Sequence, residues 1–571
     1  IFLLDVLGQL RALSKLEGTE IMKLFGFRFP ALCYHFPQWS KGDPPTRVKG
    51  KFDVYGVASA ISMAAAERGI FDPEGAVRGV GAWVDDDGQL VYPGGDRLII
   101  GGQDHPPTTH QGRIYPAQPP IPHPAEAVRD AADPYTELVE VLETWHWQRP
   151  EIDAVIMAGT FGVQAFGGAL DWRPAAWITG GAGSGKSALQ KLFLHLHGGE
   201  KGLVQSTDPT ARGIASQLGQ STLPVALDEI EPGDTGSQKE KAIVETARVA
   251  ASGGRWMRGS SDQKGSSGQL RSTFLFSSIL IPGILKSQDR QRMIVLNLLP
   301  IAEGAKPPNL RAETWRTRGA RIKRLIVDRW PTWAARLELW REALAAQGIH
   351  GRNGDNWATT MAMACQMRQA ALPSADELAG WARKLAAHIS IDLEDLGNDA
   401  DEVLVHLLGK LIDPFRRGEQ HTVAQWVQVA AESPNAPRGL CGGADSALDM
   451  DDNERKRRAK VANEQLAKTL MRVVQHGDGP HLFIGNTKAP GILELFEGSV
   501  WAGGAWSQSL ARVKGAKPAK TSRTLAGVPS RGVEIPLSAI PGLLAFPADQ
   551  AKAAAPVRPI RDDLPEDMGD F

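Results

Sequence analysis

The chain contains the octapeptide Gly180-Gly181-Ala182-Gly183-Ser184-Gly185-Lys186-Ser187, which matches the phosphate-binding pattern G-x-x-x-x-G-K-[ST] at every specified position. The apolar run before it, residues 175–179 (AAWIT), predicts a buried strand, and residues 187–194 (SALQKLFL) after it predict a helix. A strand, a glycine-rich loop and a helix in this order are the context in which the pattern binds phosphate. The sequence therefore predicts an α/β domain built around a nucleotide-binding loop.

The residue types of this loop suit the phosphates of a nucleotide. Its glycines allow backbone N–H groups to turn inward around a phosphate, and the helix that follows presents the positive end of its dipole. We expect all eight residues to contact the nucleotide, with Lys186 at the β- and γ-phosphate oxygens and the Ser187 hydroxyl as a ligand of Mg²⁺. The predicted cofactors are ATP and Mg²⁺. The alternative is a glycine-rich turn without a ligand.

A second motif, residues 223–229 (LPVALDE), distinguishes hydrolysis from binding. It is an apolar strand that ends in two carboxylates, and Asp228 follows Lys186 by 42 positions. This spacing accommodates a helix, a strand, a helix and a strand, which would bring Asp228 beside the loop in a parallel sheet. We expect Asp228 to hold Mg²⁺ through water and Glu229 to polarise the attacking water. The alternative is a strand that ends in a solvated acidic turn.

Other classes of nucleotide-binding protein fit this sequence less well. It contains no N-K-x-D motif for guanine. Its partial match to the L-S-G-G-Q signature, residues 266–270, follows the LPVALDE strand, whereas ABC-type ATPases carry the signature before that strand. Small-molecule kinases usually lack the glutamate next to the aspartate. An ATPase of the additional-strand, motor type is the best interpretation.

Two further segments predict a γ-phosphate sensor and an arginine finger. An apolar run that ends in Ser277 and Ser278 is typical of a buried strand, and either serine would sense the γ-phosphate. Arg290 and Arg292 precede another apolar strand, where an arginine can reach the nucleotide of a neighbouring subunit. The alternative is a surface pair between Asp289 and an arginine. If the finger acts in trans, the active form is an oligomer.

A Gly/Ser-rich stretch with basic residues suits contact with nucleic acid. It spans residues 252–268 and predicts a hairpin that projects from the core just before the sensor strand. Its Arg255, Arg258 and Lys264 would contact phosphates. Trp256 would stack on a base or return to the core, and a mobile surface loop is the alternative.

A second basic stretch lies near the C-terminus. Residues 503–533 contain no acidic side chain, so on charge alone they are a better nucleic-acid patch than the hairpin. A solvated loop explains them nearly as well. The basic residues are Arg512, Lys514, Lys517, Lys520, Arg523 and Arg531.

Changes in composition along the chain predict its domain organisation. Residues 83–92 predict a β-hairpin with an Asp-Gly turn, whose three aspartates are interpreted as a solvated turn and not as a metal site. A proline-rich segment predicts an extended, semi-rigid linker. In chain order we predict a small mixed α/β domain (1–114), this linker (115–125), a helical segment (126–170), the P-loop ATPase core (171–304), a helical domain (305–410), a C-terminal domain with the basic stretch (411–545) and a disordered tail (546–571).

Composition and charge are ordinary for a globular protein. The 571 residues are 42% apolar and 23% charged with a formal net charge of −1, so a polyanion must be met by local basic patches. Cys33, Cys365 and Cys441 lack metal-ligand spacing and fit reduced thiols. No apolar run approaches the roughly 20 residues of a membrane span. We expect a cytoplasmic protein without a membrane partner.

Four motifs together resemble the helicase part of phage and prophage primase-helicase proteins, which is related to the superfamily 3 branch of AAA+ motors. The motifs are residues 177–187 (WITGGAGSGKS), 205–214 (QSTDPTARGI), 223–229 (LPVALDE) and 287–293 (SQDRQRM). The resemblance covers the ATPase core. It extends more loosely to residues 78–83 (RGVGAW) and 501–506 (WAGGAW).

This resemblance implies a replicative DNA helicase. Such a protein hydrolyses ATP and translocates on single-stranded DNA as a ring, usually a hexamer, with the pre-sensor hairpin facing the channel. The implied site residues are Lys186 and Ser187 at the phosphates and metal, Asp228 and Glu229 at Mg²⁺ and water, and Arg290 or Arg292 as the arginine finger.

The chain departs from the family in one motif. Superfamily 3 helicases typically place an asparagine at the sensor position, where this chain offers Ser277 and Ser278. No primase motif is present, so a primase partner would be another segment or another protein. The alternative function is a P-loop ATPase that remodels protein or packages duplex DNA, because such an enzyme shares every nucleotide-site residue.

Overall fold

The chain forms two compact units, Ile1–Glu394 and Asp395–Phe571. The computed structural model describes residues 1–127, 133–206, 209–228, 238–258, 266–279, 289, 291–301, 304, 308–395, 399–412, 421–433, 436–437, 440, 451–499, 501–540 and 543. The predicted boundaries at residues 114 and 304 fall inside the first unit, and the predicted helical segment 305–410 is divided between the two units.

A five-stranded sheet forms the centre of the first unit. Its strands are β1 (Ala175–Gly180), β2 (Val204–Ser206), β3 (Val225–Leu227), β4 (Phe274–Ser278) and β5 (Met293–Leu298), in the order β2-β3-β4-β1-β5. Every neighbouring pair is parallel. The strand that carries Ser277 and Ser278 therefore lies between the P-loop strand and the strand that precedes Asp228.

The helices between these strands follow the predicted alternation. Between Lys186 and Asp228 the chain forms α1 (Lys186–Leu196), β2, α2 (Ala211–Leu218) and β3, so the expected helix, strand, helix and strand are confirmed. Thr210 caps α2, because its Oγ1 accepts the N–H of Gly213 at 3.0 Å. Helix α3 (Gln238–Ala251) follows β3. The carboxyl ends of all five parallel strands meet at one edge of the sheet.

Both faces of the sheet are buried, because side chains alternate along each strand. Trp177 and Phe276 lie on the face that α2 and α3 cover, and their rings stack with centroids 4.6 Å apart. Ile178 and Leu275 lie on the opposite face, in the larger hydrophobic core. Strands covered on both faces have near-continuous apolar sequences, which is why the sequence predicted them as buried runs.

Long helices complete the larger core. A Cβ added to Gly159 would lie 2.3 Å from the carbonyl oxygen of Thr360, so two of these helices approach more closely than any other residue allows. The predicted helical segment before the sheet and the helix-rich block after it are both present. The helices are Pro134–Leu142, Asp153–Phe166, Ala312–Arg329, Trp333–Ala345, Gly351–Arg368 and Ala375–Asp395.

The N-terminal segment contains short strands and helices. Its hairpin has the predicted pairing, with Trp83 opposite Val91, and Leu90 and Ile99 belong to the same core as the long helices. The strands are Phe2–Leu4, Leu10–Ala12, Pro37–Trp39, Arg47–Phe52, Trp83–Val84, Leu90–Pro93, Leu98–Ile100, Gln103–His105, Thr109–His110 and Arg113–Ile114. The helices are Gly18–Phe25, Phe29–His35, Val54–Arg68 and Pro73–Ala76.

The proline-rich segment contains neither a helix nor a strand, and it is hydrogen-bonded to the rest of the first unit. The N–H of Gln118 donates to the Gly95 carbonyl at 2.9 Å, and the N–H of Ala125 donates to the Ala320 carbonyl at 2.9 Å. The side chain of Ile121 is buried in the larger core. The segment is therefore part of the packed structure, which a proline pattern alone does not reveal.

The second unit has a core of its own. A four-stranded antiparallel sheet contains, in spatial order, Met471–His476, Gly479–Gly485, Gly532–Pro536 and Lys517–Pro518. The remaining strands are Leu411–Ile412, His421–Thr422, Arg523–Leu525 and Val528–Ser530, and the helices are Asp399–Gly409, Val423–Ala430, Asp452–Ala467, Pro490–Leu495 and Trp506–Leu510. The predicted tail, 546–571, lies outside the described residues.

Within the described part of the chain, none of the helices combines the length and the apolar content that crossing a membrane requires.

Candidate nucleotide site

The glycine-rich loop joins β1 to α1 in a conformation that requires glycine at two positions. Gly183 has a φ of +75° and Gly185 a φ of +94°, in a region that residues with a side chain rarely adopt. Helix α1 begins at Lys186, with Gly185 as its N-cap. Among the described residues no acceptor contacts the N–H groups of Gly183, Gly185 and Lys186. Such unsatisfied donors at a helix N-terminus form an anion-binding site.

The polar side chains of the loop fit the same purpose. Lys186 Nζ donates to the carbonyl oxygens of Gly180 and Gly181, at 2.5 and 3.1 Å, so the ammonium group lies over the loop. The Ser187 side chain is exposed at the first turn of α1. Ser184 Oγ is buried and has no hydrogen-bond partner among the described residues. These groups are suited to phosphate oxygens and to a hard cation such as Mg²⁺.

A series of hydrogen bonds connects the P-loop helix to Asp228. Gln190 Nε2, on α1, donates to Ser277 Oγ at 3.3 Å. Ser277 Oγ, on β4, donates in turn to Asp228 Oδ1 at the end of β3. The carboxylate is therefore positioned at the carboxyl edge of the sheet, one strand away from the glycine-rich loop. Gln190 was not identified from the sequence, because a glutamine inside a helix has no motif of its own.

The structure distinguishes the two sensor candidates. Ser277 and Ser278 are consecutive on a strand, so their side chains leave opposite faces of the sheet. Ser277 contacts Asp228, whereas Ser278 Oγ accepts the indole N–H of Trp177 at 2.8 Å on the face covered by α2 and α3. Among the described residues, the serine that bonds Asp228 is Ser277.

The segment Trp145–Arg149 covers the loop from the other side, and the sequence did not reveal this role. Trp145 Nε1 donates to the Gly185 carbonyl at 3.1 Å. A Cβ on Gly185 would lie 2.8 Å from that same nitrogen. Trp145 falls within the predicted helical segment 126–170, but the helix ends at Leu142 and Trp145 follows it. The tryptophan is buried, and its indole N–H is bonded to the loop.

The same segment is attached to β5. The N–H of Gln148 donates to the Asn297 carbonyl at 2.9 Å. The Asn297 amide donates to Gln148 Oε1 at 2.5 Å, and its side-chain oxygen accepts the hydroxyl of Thr179, the residue before the loop. A polar network thus connects β5, β1 and the covering segment at the point where the loop begins.

Arg292 lies at the amino ends of the parallel strands, whereas the glycine-rich loop lies at their carboxyl ends. Its carbonyl accepts the N–H of Ala175, the first residue of β1, at 3.3 Å. Burial and the nearby Arg352 and Arg248 guanidinium groups lower the pKa of Arg292. Asp289 is the acidic residue of the predicted surface pair. Its Oδ1 also lies 4.0 Å from Arg248, an arginine outside that pair.

The hairpin predicted before β4 is present. Strands Arg255–Arg258 and Ser266–Gln269 pair antiparallel, with Arg255 opposite Gln269 and Trp256 opposite Gly268. The predicted DNA contacts of these residues stay predictions. Lys264, the catalytic candidate Glu229 and the finger candidate Arg290 lie outside the described residues.

The C-terminal basic stretch belongs to the second unit. Arg523 forms an ion pair with Glu534 at 2.9 Å and stacks 5.5 Å from the Phe483 ring centroid, so it has a structural role there. The other five basic side chains, those of Arg512, Lys514, Lys517, Lys520 and Arg531, are exposed.

The aspartates of the N-terminal hairpin stabilise a turn. Asp85 Oδ1 accepts the N–H groups of Asp87 and Gln89 at 3.0 and 2.8 Å, and Asp85 Oδ2 faces His110 Nε2 at 3.0 Å. Asp87 accepts from Gln111 at 2.7 Å. Among the described residues no cluster of His, Cys, Asp and Glu is arranged to hold a metal ion.

Comparisons with known proteins complement this geometry. No protein-family model matches the chain, and no curated protein matches it. Among solved structures it is similar to the NrS-1 C-terminal region in its A-form apo structure, with 12% identity over 80% of this chain and 95% of that one and a TM-score of 0.30. It is also similar to a full-length MCM homologue from Methanopyrus kandleri, with 11% identity over 52% and 68% of the two chains and a TM-score of 0.28.

Proposed function

We propose that this chain is the ATP-hydrolysing motor of a replicative DNA helicase of phage or mobile-element type. The observation that carries the proposal is the Gln190–Ser277–Asp228 contact series beside the glycine-rich loop. It joins the phosphate-binding helix to the candidate metal-binding carboxylate across a strand inserted between β1 and β3. An inserted strand with a polar residue facing the site is the arrangement expected of the additional-strand motor ATPases.

The residues of the loop bind the phosphates of ATP in this proposal. Lys186 exchanges its contacts with the Gly180 and Gly181 carbonyls for phosphate oxygens, and the unsatisfied N–H groups at the start of α1 donate to further phosphate oxygens. Ser187 and Asp228 hold Mg²⁺, which, when bound, supplies charge neutralisation at the transferred phosphoryl group. Glu229 orients the attacking water, and Ser277 holds the Asp228 carboxylate in place.

The position of Arg292 supports the ring assembly of the proposal. The side chain starts at the edge of the sheet opposite to the loop, roughly 16 Å away along β1 at about 3.3 Å per residue. An arginine side chain does not span this distance, so Arg292 cannot serve the loop of its own chain. In a ring, usually a hexamer, it would reach the nucleotide of the neighbouring subunit.

Single-stranded DNA is the proposed track. The hairpin Arg255–Arg258/Ser266–Gln269 stands in the chain between α3, which follows the strand before Asp228, and β4, which carries Ser277. Its basic residues and Trp256 match the charge and ring chemistry of single-strand binding. The five exposed basic residues of the second unit offer a further contact.

The first test is the steady-state ATPase rate with and without single-stranded DNA, at low and at moderate salt. We expect a several-fold stimulation that weakens as salt rises, because phosphate contacts release counterions. Lys186→Ala should abolish turnover. Arg255→Ala with Arg258→Ala should keep basal turnover and lose the stimulation, and Lys517→Ala with Lys520→Ala is the charge-matched control for the hairpin.

Each outcome separates the hypotheses. If stimulation survives the hairpin double substitution and is lost in the control pair, the DNA contact lies in the second unit. If single strands, duplex DNA and RNA all leave the ATPase rate unchanged while Lys186→Ala abolishes it, the chain is an ATPase that nucleic acid does not stimulate. The function then becomes the remodelling of protein.

A further inference from the structure

A cavity of about 240 Å³ lies in the first unit, where the N-terminal hairpin meets the start of β4. Its polar lining comes from distant parts of the chain, with Arg78 and Arg113 from the N-terminal segment and Arg271 from the residues just before β4. Trp83, His110 and Tyr115 also line the cavity, together with the acidic residues Asp85 and Asp86. Three guanidinium groups thus converge on one small volume.

The three arginines are not neutralised by partners in the described part of the chain. None of them forms an ion pair with a carboxylate of the described residues. Arg113 donates to the Gly75 carbonyl at 2.8 Å and Arg271 to the Gly168 carbonyl at 3.2 Å, which leaves further N–H groups on both. Arg271 Nε is buried and has no hydrogen-bond partner among the described residues.

Trp83 orders two of the guanidinium groups. Arg78 Cζ lies 4.5 Å and Arg271 Cζ 5.9 Å from the centroid of its ring, and the indole N–H is used by the Gly79 carbonyl at 2.9 Å. Cation–π contact of this kind holds an arginine in place without using its donors. The fork-shaped donors therefore stay available to a ligand.

Two acidic residues, Asp85 and Asp86, belong to the lining, and against three arginines they leave an excess of one positive charge. Asp85 is bonded to the turn of its own hairpin and to His110, and Asp86 and Asp171 act on Arg78 and Arg271 only from beyond ion-pair distance. Burial, followed by the Arg113 and Arg271 charges, lowers the pKa of Arg78. The folded chain thus brings together like charges that repel one another, and a bound anion would relieve this repulsion.

We propose that this cavity binds a phosphate group at a site separate from the glycine-rich loop. A phosphate offers more acceptor oxygens than a carboxylate, which suits three converging arginines, and arginine forks match its geometry with paired hydrogen bonds. The group belongs either to a nucleic-acid strand or to a free phosphate compound such as pyrophosphate. The site does not depend on the proposed motor function.

The two phosphate sites lie at opposite edges of the sheet. Arg271 precedes Phe274, the first residue of β4, whereas the glycine-rich loop follows Gly180, the last residue of β1. Because β4 and β1 are parallel neighbours, the cavity lies near the amino ends of the strands and the loop lies at their carboxyl ends. One ligand of nucleotide size cannot occupy both sites.

The test measures phosphate binding in the full chain carrying Lys186→Ala, which weakens binding at the loop. Isothermal titration calorimetry with pyrophosphate should detect binding, and adding Arg78→Gln should weaken it about tenfold or more, because charge-assisted hydrogen bonds are lost. Arg47→Gln is the matched control, since Arg47 also stacks on aromatic rings, 5.4 Å from Tyr34 and 5.6 Å from Trp39, but lies outside the cavity.

Arg78→Lys serves if Arg78→Gln fails to fold, because it keeps the charge and loses the fork. Equal pyrophosphate affinity with and without the Arg78 substitution would overturn the proposal, and so would the absence of any binding to the Lys186→Ala protein. A short single-stranded oligonucleotide, with and without a 5′-phosphate, identifies the source. If Arg78→Gln weakens oligonucleotide binding in proportion, the phosphate belongs to a strand; if it weakens only pyrophosphate binding, the ligand is a free phosphate compound.

Discussion

Ser277 and Ser278 have different hydrogen-bond partners because a strand sends consecutive side chains to opposite faces. Ser277 bonds the Asp228 carboxylate and Gln190, while Ser278 bonds Trp177 on the far face. We expect Ser277→Ala to lower the ATPase kcat about tenfold or more, since a hydrogen bond to a charged group contributes about 1.5 to 3 kcal/mol. Steady-state kinetics with saturating ATP and Mg²⁺ measure this.

Ser278→Ala is the matched control, because the substitution is chemically the same and lies one residue away. Ser278→Ala should lower the thermal stability of the protein and leave its kcat within about twofold of the unsubstituted value. Equal kcat values for the two variants would show that Ser277 has no role in ATP hydrolysis.

Lys323 is a buried lysine, and burying its positive charge destabilises the folded state. Its Nζ donates to the carbonyls of Pro122 at 3.3 Å and of His197 at 3.2 Å. Burial lowers the pKa of Lys323 to about 8. In the unfolded chain the group stays protonated up to about pH 10.4. Between these two values the folded state releases the proton first, so this residue makes the fold more stable as pH rises.

The prediction compares Lys323→Met with the unsubstituted chain in denaturant unfolding at several pH values. From pH 8 to pH 10 the unsubstituted chain should gain stability relative to the variant by up to about 1.4 kcal/mol per pH unit. Lys384→Met, which removes an exposed lysine paired with Glu151 at 3.3 Å, should show no such gain. A pH-independent difference for Lys323→Met would mean that its pKa is ordinary.

At the scale of elements, the covering segment Trp145–Arg149 sets the shape of the loop. Trp145 bonds the Gly185 carbonyl and Gln148 bonds Asn297 on β5, so the segment connects the loop to the edge of the sheet. We expect Trp145→Phe, which keeps a ring and loses the N–H, to raise the KM for ATP about fivefold, in line with about 1 kcal/mol for a neutral hydrogen bond.

The control for this element is Trp172→Phe. Trp172 Nε1 donates to Asn356 Oδ1 at 2.8 Å, so the same substitution removes one indole hydrogen bond without touching the loop. Its KM for ATP should be unchanged. If Trp145→Phe lowers thermal stability but not nucleotide affinity, the covering segment has only a structural role.

At the scale of the whole molecule, the position of Arg292 makes the assembly testable. The residue precedes β5, at the edge of the sheet opposite to the loop, so any catalytic role requires a second subunit. Arg292→Ala and Lys186→Ala proteins should each be inactive. Mixed in equal amounts they should regain turnover, because about a quarter of the interfaces would then combine an intact loop with an intact finger.

Arg248→Ala serves as the control in the mixing experiment. Arg248 neighbours Arg292 and pairs with Glu245 at 2.9 Å, so its loss alters the same cluster of charges. This variant should retain turnover without mixing. If the mixture of the two inactive proteins stays inactive while size-exclusion chromatography shows mixed oligomers, Arg292 is not the finger.

Local patterns in the sequence determined the parts of this protein that neighbouring residues control. The pattern of residues 180–187 specifies the loop, because its glycines and the helix that follows form their geometry within a few residues. The alternation of helix and strand up to Asp228 and the two hairpins follow in the same way from apolar periodicity and turn residues.

The tertiary structure alone decided which distant residues meet. Only the order of the strands shows that Ser277, and not Ser278, bonds Asp228, because the two serines are equivalent in a linear pattern. Trp145 lies against Gly185, and Arg78 shares a cavity with Arg271, across separations at which no periodicity acts. Local propensity specifies the elements, but packing of apolar faces and pairing of strand edges determine how the elements, and with them the sites, come together.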